Sequence, residues 1–315
     1  MLTLGLLAAL SVPAAAAPQK GWEWRETTTP HFLVHHQTAW LPPGLTIGVE
    51  RIHSRLRMDL GAFTPWMARE RISLYVYSDR QNYVRGEFSP PEWSNGVAIY
   101  DKKAVVVPAM KETSQMLRVI AHESAHLLFV SYFRESRRDP PSWVNEGLAM
   151  LEEAESRNKP ETSQWYQNMV EMKPGSWFPM DRFFEINPTK DLHDDRKDVS
   201  EWYIQAYSVT HFLVRKHSNL QFKSFCSHLR DGKTSAEALW LVYRYRSVKD
   251  FEKKWRAWLA DPIHRRRVTA LVSSERATGD GVVEKAGRRM PSFGSFETGR
   301  EFKSKAPSAS RDPVD

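Results

Sequence analysis

The chain has 315 residues, 41% hydrophobic and 26% charged, a globular composition that excludes a wholly disordered polymer. A mean hydropathy of −0.55 excludes a multi-span membrane protein. Its single cysteine, Cys226, excludes an intrachain disulfide framework and any Cys-based metal or iron–sulfur site, so a metal here must be held by His, Asp and Glu. The balance of 45 Lys+Arg against 38 Asp+Glu leaves +7, which suits a polyanionic partner, but more than half of that surplus falls after Pro262.

At the N-terminus, residues 1–17 carry no charged side chain, Leu2 to Val12 form a short apolar core, and Ala14 and Ala16 fit a small-x-small cleavage site. This pattern predicts a secretory signal peptide over 1–16, export to the periplasm or the medium, and no stable membrane span after its removal. From Trp22 to about Met110 strands and helices mix. Phe32-Leu33-Val34 reads as a strand, and Leu45–Leu60 as a helix with Ile47, Ile52, Leu56 and Leu60 near one face. Ile72 to Tyr77 alternates as a half-buried strand. Gly96–Tyr100 and Ala104–Val107 flank Asp101-Lys102-Lys103 as a hairpin. From Ser114 to about Leu259 the pattern is helical, broken at Pro140-Pro141, with helices expected over Tyr203–Lys216, Leu220–Leu229, Ser235–Tyr245 and Val248–Leu259. The expected fold is α+β: a mixed sheet with helices and one central helix over 17–133, then a helical part over 134–262. Residues 263–315 read as a basic tail, disordered from about Ser274.

Chemistry concentrates in Met116 to Tyr132, where His122, Glu123 and His126 form H-E-S-A-H. On a helix, positions i and i+4 share a face, so both imidazoles can reach one metal ion. Glu123, beside the first of them, can serve as general base without taking a coordination position. The surrounding helix is strongly apolar, where two unpaired histidines and a glutamate would be costly to bury. Just downstream, Pro141 to Glu153 reads P-S-W-V-N-E-G-L-A-M-L-E-E, and Glu146 can face the metal as third ligand once this helix packs on the first.

The pairing of H-E-S-A-H with W-V-N-E-G-L-A resembles the gluzincin metallopeptidases, the group of thermolysin and aminopeptidase N, and within it the peptidase-MA-like proteins. The resemblance implies a zincin-like fold, one zinc ion held by His122, His126 and Glu146, and Glu123 as general base. It extends to Y-I-Q-A-Y-S-V-T-H-F-L, Tyr203 to Leu213, and implies that Tyr203 stabilises the oxyanion, with Tyr207 the rival one turn on. Two departures stand out. Thermolysin-like enzymes orient a ligand histidine with an Asp four residues after the third ligand, where this chain has Met150. Glu153 is a candidate substitute, although Glu152 and Glu153 also fit a solvated face. The aminopeptidase G-x-M-E-N segment corresponds to G-V-A-I-Y, Gly96 to Tyr100, and lacks the Glu that binds a free amine.

The expected activity is therefore zinc-dependent endopeptidase action on a peptide or protein, bound extended along the strand at Ala104–Val107 by edge pairing. Two other readings stay open: an inactive zinc-holding relative, and a basic polyanion binder with an accidental motif. No Gly-rich phosphate loop or nucleic-acid motif is evident, so no specific nucleic-acid partner is expected. His31, His35 and His36 are expected to be structural, Asp191 to Asp195 a solvated loop, Trp143 a core residue and Arg265-Arg266-Arg267 part of a solvated tail.

Overall fold

The computed structural model describes residues 23–154, 159–192 and 196–277. The predicted signal peptide, positions 193–195 of the acidic loop and the chain beyond 277 lie outside the described residues.

The N-terminal half builds one five-stranded sheet. In chain order it contains β1 (Arg25–Thr28), β2 (Phe32–His36), α1 (Leu45–Leu60), β3 (Ile72–Tyr77), α2 (Arg80–Arg85), β4 (Val97–Ile99) and β5 (Ala104–Pro108). The strand order is β1-β2-β3-β5-β4. β2, β3 and β5 run parallel, and β1 and β4 close the two sides antiparallel. Alternation decides the faces. Phe32, Val34, Ile72, Leu74, Val76, Val105 and Val107 join the main core with α1 and the helices below, while Tyr77, Tyr83, Phe88 and Val106 form a smaller cluster on the other face.

The predicted hairpin is present, pairing Val97 with Val106 and Ile99 with Ala104. The strand expected to pair with substrate, β5, has no free edge, however. β5 is hydrogen-bonded on both sides, by β3 and β4, so the open edge belongs to β4. The helix α1 has the predicted limits, but Ile47 is 62% exposed. The inward face is instead Leu45, Val49, Ile52, Leu56 and Leu60. Two residues from Leu45 is a little over half a helical turn, which carries Ile47 to the solvent side.

The second half is helical: α3 (Thr113–Arg134), α4 (Ser142–Glu152), α5 (Gln164–Glu171), α6 (Met180–Glu185), α7 (Pro188–Asp191), α8 (Arg196–Lys216), α9 (Asn219–Arg230), α10 (Ser235–Tyr243), α11 (Val248–Leu259) and α12 (Pro262–Ala277). Local chemistry sets several starts. Ser218 and Thr234 form capping boxes with Gln221 and Glu237. α3 is the centre of the molecule, buried at every position from Ile120 to Val130 and touching α1, β4, β5 and α4. A helix that is apolar all round has no solvent face to offer. α4 lies between α3 and α8. Gly147 permits the close approach to α8, because a methyl group there would run into Thr210 Oγ1 and the Ala206 carbonyl.

The C-terminal stretch differs from the expected tail, since helix continues from Pro262 to Ala277. The start signal was present. Proline suits the first helical position, and Asp261 accepts a hydrogen bond from Ile263 N at 2.9 Å. His264 is buried and ties the new helix to α5 and α11, accepting or donating at Tyr166 Oη (2.7 Å) and meeting the Trp258 carbonyl (3.0 Å). Arg265, Arg266 and Arg267 are exposed on this helix.

Candidate metal centre

The four-residue spacing on α3 sets His122 and His126 one above the other, 8% and 3% exposed. Their Nε2 atoms are 3.0 Å apart. α4 brings Glu146, buried as well, with Oε2 at 3.6 Å from His126 Nε2 and 3.9 Å from His122 Nε2. An ion with tetrahedral ligands at about 2.0–2.1 Å sets neighbouring ligand atoms roughly 3.3–3.4 Å apart, so the triangle has the size of one face of such a site. Glu146 Oε2 and His126 Nδ1 are buried without a hydrogen-bond partner. A carboxylate oxygen left in this way between two imidazole nitrogens fits a cation at the centre of the three. This is the group of His, Cys, Asp and Glu side chains that could hold a metal ion among the described residues.

The outer contacts fix one histidine. His122 Nδ1 lies 2.7 Å from Glu153 Oε1. A carboxylate only accepts, so Nδ1 carries a proton and Nε2 is the nitrogen turned toward Glu146 and His126. Glu153 thus makes the contact to a histidine for which Met150, buried in the core, has no polar group. Glu152, offered with it as a solvated face, is buried. It turns to the other side of α4, where Arg55 Nε lies 3.3 Å from its Oε2. Burial and the neighbouring Asp59 charge push its pKa up to about 8, against the pull of Arg55. For His122, burial alone would lower the pKa, but the Glu153 hydrogen bond and the charges of Glu153, Glu123 and Glu146 raise it to about 9. The site is a buried anionic pocket that favours a cation.

Glu123 is 1% exposed and faces β4. A Cβ on Gly96 would meet Glu123 Cγ at 2.9 Å and Val119 Cγ1 at 2.6 Å, so bare backbone is needed where the edge strand passes this carboxylate. The strand period of two then turns Ala98 and Tyr100 to the same side, and both pack on the main core. Tyr100 was missed as a site neighbour, though that alternation pointed to it. Its hydroxyl is held above the usual range by burial and then by the Glu123 and Glu146 charges, while Arg134 lies 4.3 Å from its ring centroid. Trp165 was missed too, because α5 reaches the site only through tertiary packing; its Nε1 donates to Glu153 Oε2 at 3.0 Å.

Of the two candidate tyrosines on α8, Tyr203 is buried, and burial and then the Glu146 charge raise its pKa well above the usual value, so its hydroxyl remains a donor. The Tyr207 hydroxyl lies 3.2 Å from His211 Nδ1 and also bonds Ser163. The three histidines expected to be structural have partners of their own: His31 with Glu50 (2.6 Å), His35 with Glu26 (3.1 Å) and His36 with the Thr38 carbonyl (3.0 Å). Trp143 is a core residue, donating to Ser235 Oγ at 3.2 Å. No helix among the described residues is long and apolar enough to cross a membrane.

A mixed sheet with an open antiparallel edge, a central helix carrying two histidines, and a glutamate delivered by the next helix define a zincin-like metallopeptidase fold. The chain belongs to the Peptidase MA superfamily, whose family model matches residues 54–261, more than half of its length. The match takes in all five residues of the centre, namely His122, Glu123, His126, Glu146 and Glu153, and stops where α12 begins. No curated protein matches the chain.

Proposed function

We propose that this protein is a zinc-dependent endopeptidase of the gluzincin type, with His122, His126 and Glu146 as metal ligands and Glu123 as general base. The observation that carries the reading is the buried convergence of His122 Nε2, His126 Nε2 and Glu146 Oε2, with Glu123 on the same turn of α3. Two imidazoles and one carboxylate are a donor set suited to catalytic zinc. Zinc bound there supplies Lewis acidity, lowering the pKa of water toward about 7 and polarising a carbonyl.

The chain's own groups do the rest. Glu123 accepts a proton from the attacking water and delivers it to the leaving amine. Gly96 lets the backbone leading into the edge strand pass close to this carboxylate, which brings the edge of β4 beside the general base. The substrate lies extended along β4 and pairs with its free edge. The Tyr203 hydroxyl, kept protonated, donates to the developing oxyanion. The segment Gly96 to Tyr100 has no glutamate where aminopeptidases carry the one that binds a free amine, and this favours internal cleavage of a peptide or protein. The uncharged apolar run at the N-terminus, ending at Ala14 and Ala16, supports an exported enzyme that acts outside the cytoplasm.

The test is Glu123→Gln in the full-length chain, assayed on a fluorogenic peptide library. The variant is expected to keep its zinc and lose at least about 10²–10⁴-fold in turnover. Cleavage at the wild-type rate would overturn the mechanism.

A further inference from the structure

We propose that Trp165 is a positioning residue for the metal centre, its indole N–H clamping the Glu153 carboxylate in the orientation that holds His122. The proposal rests on the metal reading above. Glu153 is the C-cap residue of α4, two turns beyond Glu146, and its carboxylate lies between His122 on α3 and Trp165 on α5. A glutamate has three free torsions, so nothing in α4 itself sets where the carboxylate points. Two contacts do. Oε1 lies 2.7 Å from His122 Nδ1, and Oε2 accepts from Trp165 Nε1 at 3.0 Å. Each oxygen has its own partner, so the plane of the carboxylate is fixed by the pair.

The indole is the rigid member. Trp165 is 5% exposed and belongs to the main core, on a helix that packs on α8. An indole has one donor and no acceptor, so when buried it must find an oxygen, and here that oxygen belongs to the residue that orients a ligand. α5 thereby lends a fixed direction to a flexible side chain, and the His122 ring inherits it. The Asp of thermolysin-like enzymes sits one turn from the third ligand on the same helix; a carboxylate two turns away, on the helix end, needs such an external hold.

The experiment measures zinc affinity by chelator competition, and the absorption spectrum of the cobalt-substituted protein, for the full-length wild type, Trp165→Phe, Glu153→Gln and the double variant. Trp165→Phe keeps an aromatic ring in the core but removes the N–H together with one ring of the indole, and is expected to weaken zinc binding roughly tenfold; Glu153→Gln should weaken it by about 10–100-fold. The double variant should be no weaker than Glu153→Gln alone, because the indole acts through the carboxylate. The cobalt spectra of both single variants should shift in the same direction. Glu153→Asp, too short to span both partners, should give that same shift and serves if Trp165→Phe fails to fold. Unchanged affinity in Trp165→Phe, multiplied losses in the double variant, or an unshifted spectrum in Glu153→Asp would overturn the proposal. A wild-type chain that takes up no metal would instead overturn the metal reading, and the clamp with it.

Discussion

Tyr203 and Tyr207 lie one turn apart on α8, and their hydroxyls face different neighbours. Tyr203 sits within reach of the Glu146 charge, whereas Tyr207 is engaged by His211 and Ser163. An oxyanion donor must lie beside the metal ligands, which favours Tyr203 over Tyr207. Tyr203→Phe is expected to lower kcat by about 10²–10³-fold with zinc content unchanged, and Tyr207→Phe to change it by less than about threefold. A collapse of kcat in Tyr207→Phe with activity kept in Tyr203→Phe would reverse the roles. The residues legible in the sequence are those whose relation is local. His122, Glu123 and His126 share one turn, and Glu146 follows in a recognisable segment. Glu153 stood as a candidate to orient a ligand histidine, but its contact with Trp165 is legible only in space, because α5 follows no periodic mark that ties it to α4. Glu152 was ambiguous for the same reason: its partner Arg55 is on α1, far away in the chain.

At the scale of elements, the approach of α4 to α8 is the contact on which the third ligand depends. Gly147→Ala puts a methyl group against Thr210 Oγ1 and the Ala206 carbonyl, one of them backbone that cannot rotate away. The expected cost is about 1–3 kcal/mol of stability in urea unfolding, together with weaker metal binding as Glu146 is pushed from the histidines. Unfolding and metal affinity equal to wild type would show that the two helices are not in close contact. The elements read correctly from the sequence are those with strong periodicity: α1, β3 and α11 have the predicted limits. β1 was not anticipated, because its four residues are mostly exposed and show no alternation. The edge was misplaced because a hairpin pattern states that two strands pair but not which of them meets a third. α12 was masked by its arginines; it packs through His264 and Val268, a signal too sparse to stand out against the charge.

Across the whole molecule one continuous core joins the sheet, α3 and the helical half, so buried ionisable groups report on global stability. His211 is the strongest case. Burial first, then the positive charges of Arg215, His264 and Arg267, lower its pKa to about 3 from 6.5. Between these values the unfolded chain binds a proton that the folded chain does not, so stability falls as pH drops below about 6.5. This residue contributes a slope of up to about 1.4 kcal/mol per pH unit. His53, His217 and His264 are shifted in the same direction. His211→Phe should therefore show a shallower loss of stability between pH 6.5 and 4 in urea unfolding; an unchanged slope would mean that His211 is protonated in the folded state. The most direct test of the account is metal content by mass spectrometry on the purified full-length chain, alongside Glu146→Ala. One zinc per chain is predicted, lost or sharply weakened in the variant. No bound metal in the wild type, even after incubation with zinc, would contradict a metal centre at His122, His126 and Glu146.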